Sequence, residues 1–230
     1  MSDDQLTQNS TLNTQPPPQR PDLLAGEQLP PPPRQERSRR KRDALLQAAQ
    51  ELFAERGYEE TAIEAIAHRA GAAVGGFYQH FASKRQILLV LMDQLLSEAS
   101  ALLGQAGGAT DLSDTRGLIE LLVRQGLQTD WAFAGAYRAW LEACARDREL
   151  RALNEQIEAW TAGLLGQMLG ALSTLPGARQ DVDVPTLAWT LSLLFWRLAE
   201  LPIAQPQRVN AVVASMTHLI YHALFLDQTR

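Results

Sequence analysis

The sequence lacks the features that mark secreted and membrane proteins. Its 230 residues include one cysteine, Cys144, which excludes an internal disulfide bond and leaves no thiol cluster for zinc. The longest apolar run, residues 187–196, ends at Arg197 and falls short of the ~18 to 20 residues that a membrane helix needs. An apolar signal core is also missing from the N-terminus. We therefore expect a soluble cytoplasmic protein that makes no membrane contact.

The residue patterns of common catalytic and metal sites are missing as well. Cys144 has no histidine within one helical turn, so a thiol nucleophile would lack a base. His218 and His222 could share one helix face, but Leu219 stands where a zinc protease carries its glutamate, and no third ligand is apparent. The chain has no glycine-rich phosphate loop and no serine elbow. We expect no enzyme activity, no metal and no cofactor.

Acidic residues outnumber basic ones, and the net charge is −5. The balance differs along the chain, because residues 34–96 hold ten Lys and Arg against eight Asp and Glu, whereas the segments on either side are acidic. A DNA-binding region is therefore expected in the middle segment. The acidic remainder would repel DNA and so orient the molecule.

Residues 1–33 are polar and contain eight of the twelve prolines. Such a segment buries too little apolar surface to offset the entropy of ordering it, so we predict a disordered tail with stretches of polyproline II. The tail acts either as a solubilising segment or as a docking site for a partner that reads proline-rich sequences.

A run of basic residues follows, just ahead of a helix that ends at Gly57. Such a run is often only a solvated helix face. Next to a DNA-reading motif, it favours an arm that binds phosphate or the minor groove. We assign to this arm Arg39, Arg40 and Arg42.

The middle segment also carries the signals of two short helices, a tight turn and a longer helix. Thr61 and Glu64 predict a capping box that starts the first helix, and Gly71 can take the left-handed conformation that ends it. After a second short helical run, Ser83 and Gln86 predict another capping box and a long helix directly afterwards. A helix, a short turn and a second helix form the arrangement that reads the DNA major groove.

Many residues of this region recur at a fixed spacing that is much more specific than a helix-turn-helix pattern alone. They are Gly57, Tyr58, Thr61, Ile63, Ile66, Ala67, Ala70, Gly71, Gly75, Phe77, Tyr78, His80, Phe81, Ser83, Lys84 and Leu88. The run resembles the DNA-binding domain of the tetracycline-repressor (TetR) family of bacterial one-component regulators. The resemblance implies an all-α fold with a helix-turn-helix domain at residues 34–96. It also implies an effector-binding and dimerisation domain, which we place at residues 97–230.

The second helix of the motif departs from the family pattern. Where members commonly carry a small hydroxyl residue, this chain has Ala73, and the glycines at 75 and 76 add no side chain that could hydrogen-bond. Gln79 can read an adenine edge, Val74 a thymine methyl group, and Lys84 a phosphate at a helix N-terminus. Besides the three arginines, the predicted DNA-binding residues are Thr61, Ala73, Val74, Gly75, Tyr78, Gln79, His80 and Lys84.

Amphipathic helices are expected at about 114–129, 130–146, 148–174, 184–200 and 206–226. All five tryptophans lie in this half. Each fits plain core packing, but as a group they favour a cavity for a small molecule, which the resemblance also implies. The predicted pocket residues are Trp131, Tyr137, Trp140, Cys144, Trp160, Leu164, Met168 and Trp189.

Two apolar stripes on the last two helices predict a dimer interface, because two such helices from each subunit can form a four-helix bundle. The alternative is that both stripes pack inside one subunit. The predicted interface residues are Leu187, Leu191, Leu194, Leu198, Val209, Val212, Met216, Leu219, Ile220 and Ala223.

The sequence thus predicts a homodimeric DNA-binding transcriptional regulator, a repressor released from a palindromic operator by a small apolar or aromatic ligand. The alternative is a dimeric interaction protein without an effector, which binds DNA weakly or binds a protein partner. A filled C-terminal core would favour the alternative.

Overall fold

The structure, a computed structural model, describes residues 19–31, 34–106 and 114–225, and these residues form an all-α protein. The N-terminal helices are α1 (Glu36–Arg56), α2 (Ile63–Arg69), α3 (Val74–Tyr78) and α4 (Lys84–Ala106). The others are α5 (Thr115–Ala132), α6 (Ala134–Cys144), α7 (Arg148–Ser173), α8 (Val184–Leu198), α9 (Leu201–Ala204) and α10 (Val209–Leu224). The predicted fold class is confirmed.

Sequence signals at the helix ends explain most of these bounds. Asp114, Asp147 and Asp183 each precede a helix and accept a hydrogen bond from a backbone N–H of its first turn. A single bridge between Ala178 and Phe225 is the only β pairing in the part of the chain that the structure describes. No helix in this part combines the length and apolar character that crossing a bilayer requires.

The predicted capping box at Thr61 does not form. The Thr61 side chain is fully buried, and its hydroxyl donates to the carbonyl of Gly57 at 2.6 Å instead of capping α2. The second box forms in part, because the Ser83 hydroxyl accepts from the Gln86 N–H at 3.1 Å. The Gln86 side chain accepts from Ala82 N–H rather than from the capping residue.

The predicted disorder of residues 1–33 is wrong for the part that the structure describes. Residues 19–31 form a strap on α4, with Leu23 only 2% exposed in the core. Arg20 pairs with Asp93 at 2.9 Å, and Glu27 pairs with Arg85. Burial of Leu23 and these ion pairs offset the entropy that the segment loses on ordering. The composition of the segment alone did not indicate this. Residues 1–18 and 32–33 lie outside the described residues.

Two apolar clusters hold the described residues together, and their boundary differs from the domain boundary suggested by the sequence. The first cluster contains α1 to α4, α6 and the first half of α7. The second contains α5, the second half of α7, α8 and α10. Helix α7 is 26 residues long and takes part in both clusters. The DNA-binding helices therefore share their core with part of the C-terminal half.

Candidate DNA interface and effector cavity

Helix α3 is anchored on one side and exposed on the other. Phe77 and the following Phe81 are fully buried in the first cluster, with ring centroids 5.8 Å apart. Val74 and Tyr78 are 37% and 52% exposed, one helical turn apart. The residues that share this exposed side are Ala73, Val74, Gly75, Tyr78 and Gln79. The structure thus brings five of the predicted DNA-binding residues onto one surface.

The glycines of α3 are not required by packing or by backbone conformation. A Cβ added at Gly75 would meet no atom within 4 Å, and one at Gly76 would lie 3.6 Å from the Ala72 side chain. Positive φ angles occur at other glycines, such as Gly71 with φ 65°, but not at these two. The backbone of α3 at Gly75 and Gly76 is therefore uncovered by side chains, and another surface can approach it closely.

Two of the predicted DNA-binding residues point into the protein. Thr61 is fully buried, as described above, and holds the turn after α1. His80 is 7% exposed, and burial lowers its pKa, with smaller contributions from Arg42 and Lys41. Both side chains are buried, so neither belongs to the exposed side of α3 on which the other five residues lie.

Lys84 is engaged by the loop that precedes α2. Its ammonium donates to the carbonyls of Tyr58 at 2.6 Å and Glu59 at 3.3 Å, and lies 4.4 Å from the centre of the Tyr58 ring. Burial lowers the pKa of Lys84, although the charge of Glu59 opposes this. An ammonium has three donors, so its predicted contact with phosphate depends on the remaining one.

The basic run forms the first two turns of α1 rather than an arm ahead of the helix, because α1 begins at Glu36. Arg40 is exposed and pairs with Glu36 at 3.1 Å, while Arg39 donates to the carbonyl of Arg34. The Arg42 guanidinium is half-buried over the Phe81 ring, 5.2 Å from its centroid. Arg42 thus ties the start of α1 to the end of the helix-turn-helix.

A cavity of about 100 Å³ lies in the C-terminal half, between α4, α5, α7, α8 and α10. Its lining is mostly aliphatic, and its polar lining residues are Gln125, Thr129, Asp130 and Thr161. Asp130 is half-buried, and burial raises the pKa of its carboxyl to about 7. A space of this order accommodates a small aromatic molecule.

Helix α4 connects this cavity to the DNA-binding helices. Ala99 and Leu102 of its C-terminal part line the cavity, whereas Lys84 of its first turn holds the loop before α2. The helix has 23 residues. It therefore spans ~34 Å at the rise of an α-helix.

Helix α6 is a second element of the C-terminal half that contacts the DNA-binding helices, and the sequence did not reveal this contact. The Glu142 carboxylate accepts from the backbone N–H groups of Tyr58 at 2.6 Å and Glu59 at 3.2 Å. Arg138 donates to the carbonyl of Ala54 at 2.6 Å. Both contacts hold the C-terminal end of α1 and the turn that follows it.

Gly135 allows α6 to lie directly on the α1 backbone. A Cβ added there would collide with the carbonyl oxygen of Gln50 and would lie 3.0 Å from the Ala54 nitrogen. Only glycine fits this contact without moving one of the helices.

Comparison with known proteins identifies the family. The pattern described as "Bacterial regulatory proteins, tetR family" matches residues 45–91, which cover most of α1, all of α2 and α3, and the start of α4. Residues 45–91 carry the DNA-binding domain of the TetR family of transcriptional regulators.

Two TetR-family relatives extend the similarity beyond this domain. The HTH-type transcriptional regulator TcmR of Streptomyces glaucescens is 31% identical over 161 residues, which cover 64% of this chain and 63% of TcmR. The HTH-type transcriptional regulator EthR of Mycolicibacterium smegmatis is 26% identical over 192 residues, which cover 79% of this chain and 85% of EthR. The chain therefore spans just under two thirds of TcmR.

Solved structures of other proteins share the fold. The fatty acid degradation regulator FadR from Bacillus halodurans superposes with a TM-score of 0.63 at 21% identity, covering 78% of this chain and 94% of FadR. A gamma-butyrolactone receptor described as ArpA-like superposes with a TM-score of 0.61 at 20% identity, covering 83% of this chain and 91% of the receptor. At these identities the likeness establishes the fold alone.

Most of the predicted pocket residues lie away from the cavity. Leu164 and Met168 line it. The other predicted positions do not, because aromatic residues were assigned to a site whose lining is mostly aliphatic. Tyr137, Trp140, Cys144 and Trp160 are buried in the first cluster, Trp131 packs against the second, and Trp189 is 58% exposed.

The predicted dimer residues divide between core and surface. Leu191, Met216 and Ile220 are at most 5% exposed within one subunit, and Leu191 and Ile220 line the cavity. Their assignment to a contact surface is wrong, because their side chains are covered by their own subunit. Leu219 is 55% exposed. The remaining predicted residues are half-buried: Leu187, Leu194, Leu198, Val209, Val212 and Ala223.

Apolar side chains do face solvent on α8 and α10. Trp189 and Leu193, one turn apart on α8, are 58% and 44% exposed, and Leu219 lies on the outer side of α10. Large exposed apolar side chains on neighbouring turns are typical of a surface that another protein covers.

Proposed function

We propose that this TetR-family chain is a cytoplasmic homodimeric repressor, which leaves a near-palindromic operator when a small apolar or aromatic molecule fills its cavity. The observation that carries the proposal is the course of α4, which lines the cavity at one end and holds the DNA-binding helices at the other. A ligand that moves α4 would change the separation of the two reading helices, and a mismatch with successive major grooves lowers affinity.

The dimer supports this function through geometry. One subunit presents one α3 and reaches one half-site, whereas a palindromic operator needs two half-sites about 34–36 Å apart. We place the interface on the outer sides of α8 and α10, around Trp189, Leu193 and Leu219, instead of on the two stripes inferred from the sequence. The exposure of these three side chains supports this placement.

Contact with DNA is divided between two kinds of residue. The exposed basic residues at the start of α1, Arg39 and Arg40 among them, supply phosphate contacts that do not depend on sequence. Gln79 and Val74 supply the few base contacts that α3 can make. The proposed Lys84 contact uses the one ammonium donor that the Tyr58 and Glu59 carbonyls leave free.

Selection of bound sequences from a random duplex pool tests the proposal. We expect an inverted repeat, whose binding is then measured by fluorescence anisotropy as salt is varied and as small aromatic molecules are added. Recovery of a single half-site would contradict the dimeric reading mode. A cavity of about 100 Å³ counts against a dimeric interaction protein that has no effector.

A further inference from the structure

The effector cavity, on which the proposed function depends, has an uneven distribution of polar groups. Gln125, Thr129 and Asp130 all come from α5, and Thr161 comes from α7. The rest of the lining, from α4, α7, α8 and α10, is aliphatic except for the ring of Phe195. A ligand that fills this space therefore meets an apolar surface with one polar side.

That polar side is rich in hydrogen-bond acceptors. The Thr161 hydroxyl already donates to the carbonyl of Ile157 at 2.9 Å, so its oxygen is left with acceptor capacity only. Asp130 contributes two carboxylate oxygens and Gln125 an amide oxygen, while the Gln125 NH2 group and the Thr129 hydroxyl can also donate. None of the described lining residues is a lysine, arginine or histidine.

The Asp130 carboxylate has no counter-charge. Among the described residues it has neither a hydrogen-bond nor an ion-pair partner, and burial alone raises the pKa of this carboxyl. A carboxyl group in such a place is usually paired with a cation or a donor. Here the open side of the group is the cavity.

The backbone around Asp130 favours the same sign of charge. Asp130 lies in the last turn of α5, an 18-residue helix that ends at Ala132. The carbonyl end of a helix carries partial negative charge, which attracts a cation and disfavours an anion. The charge of the Asp130 side chain and the partial charge of the helix end are both negative, so together they attract a cation.

We propose that the effector is a small apolar molecule with a basic amine, whose ammonium group pairs with Asp130. The ammonium donates to the Asp130 carboxylate and to the neighbouring oxygens of α5 and α7, while the aliphatic lining holds the apolar body. A neutral or acidic molecule of the same shape fills the cavity but leaves the carboxylate without a partner.

Three probes that share a phenyl ring and differ in charge test this assignment: 2-phenylethylamine, 2-phenylethanol and phenylacetate. Titration calorimetry on the full chain at about pH 8, where both the amine and Asp130 are charged, gives their affinities. We expect the amine to bind at least about tenfold more tightly than the alcohol, with phenylacetate the weakest.

Asp130→Asn keeps the shape of the side chain and removes its charge. We expect the amine and the alcohol to bind this variant about equally, with the affinity for the alcohol little changed. The matched control is Glu120→Gln, an exposed carboxylate of the same helix that pairs with Arg124 at 2.9 Å. The control should keep the preference for the amine.

Equal binding of amine and alcohol by the unmodified chain would overturn the assignment, and so would a preference that survives Asp130→Asn. Either result would leave the effector cavity of the proposed function intact. If none of the probes binds, the inference fails together with the effector part of that function. Operator selection is measured without any small molecule, so its outcome is independent.

Discussion

At Gly75, the stability of the fold and the binding of DNA favour different residues. The protein has room for a side chain there, and α3 would be a better helix with alanine. A duplex lying on the exposed side of α3 would have no such room. The stability and the DNA affinity of a variant at this position should therefore change in opposite directions.

Gly75→Ala should leave the free energy of unfolding unchanged or raise it by up to about 1 kcal/mol. It should lower operator affinity at least about tenfold, because the added methyl group meets the duplex. Denaturant unfolding and fluorescence anisotropy measure the two effects. The control is Gly170→Ala in α7, where an added Cβ also meets no atom within 4 Å, and this variant should bind operator normally. Equal operator affinity of Gly75→Ala and the unmodified chain would show that the duplex does not closely approach the backbone at Gly75.

Asp130 should make the protein less stable as pH rises. Burial raises its pKa in the folded chain to about 7 from its ordinary value of 3.8, so the folded state holds a proton that the unfolded state has lost between these values. The free energy of unfolding should therefore fall between about pH 4 and pH 7, and this contribution should stay level above pH 7. Burial raises the pKa of Tyr137, and the charges of Glu158 and then Asp130 add to this.

Asp130→Asn should remove that part of the pH dependence. Because the group is only half-buried, we expect the variant to be more stable than the unmodified chain by about 1–3 kcal/mol at pH 8. The two should be similar near pH 4. Denaturant unfolding at both pH values gives the difference, in which the effects of the other carboxylates cancel. A constant difference at both pH values would argue against an uncompensated carboxylate.

At the scale of elements, the sequence predicted which segments are helical but not which faces they bury. Capping aspartates and proline positions are local signals, so the helix bounds were within a few residues of those in the structure. Helices α8 and α10 are apolar on several sides. An apolar stripe at helical spacing therefore does not show which side of the helix packs against the core of its own subunit. Leu191 and Met216 were therefore assigned to the surface and Trp189 to the interior, the reverse of what the structure has.

Contacts between distant parts of the chain account for the other differences. Glu142 and Arg138 bind backbone groups 83 or more residues away, and nothing in their own surroundings in the sequence indicates this. The sequence predicts that Asp130 starts a helix, whereas it lies in the last turn of α5. Its position four residues after Gly126, on the face that continues to Leu122, is a signal that could have placed it in the cavity.

The strap at residues 19–31 should contribute to stability, contrary to the composition of the N-terminal segment. Leu23→Ala should lower the free energy of unfolding by about 2–4 kcal/mol, because it opens a space in the core beside α4. Gln28→Ala, at an exposed position of the same strap, should change it by no more than about 0.5 kcal/mol. Denaturant unfolding compares the two. Similar small effects would mean that the strap is not part of the folded core in solution.

At the scale of the whole molecule, the dimer prediction depends on which side of α10 a charge is placed. Leu219→Glu should yield a folded monomer that binds operator weakly, because the outer side of α10 would carry an unpaired carboxylate into the interface. Met216→Glu should instead unfold the subunit, since Met216 is 2% exposed in its own core. Sedimentation and circular dichroism distinguish these outcomes.

The control for the dimer prediction is Leu121→Glu on α5. Leu121 is 51% exposed, close to the 55% of Leu219, but it lies outside the proposed interface. This variant should remain dimeric. A dimer that persists in Leu219→Glu would move the interface away from α10.

The close contact of α6 with α1 determines how the protein could be used in the construction of new sensors. Chimeric regulators are made by joining the DNA-reading part of one protein to the ligand-sensing part of another. A junction after α4 would cut through the first cluster. A foreign helix would then pack on α1 in place of α6, and a side chain at the position of Gly135 would collide with the Gln50 carbonyl. The unit that can be exchanged intact therefore includes α6 with its Gly135, Arg138 and Glu142, so a working graft must carry over a helix from beyond the boundary at residue 96 that the sequence suggests.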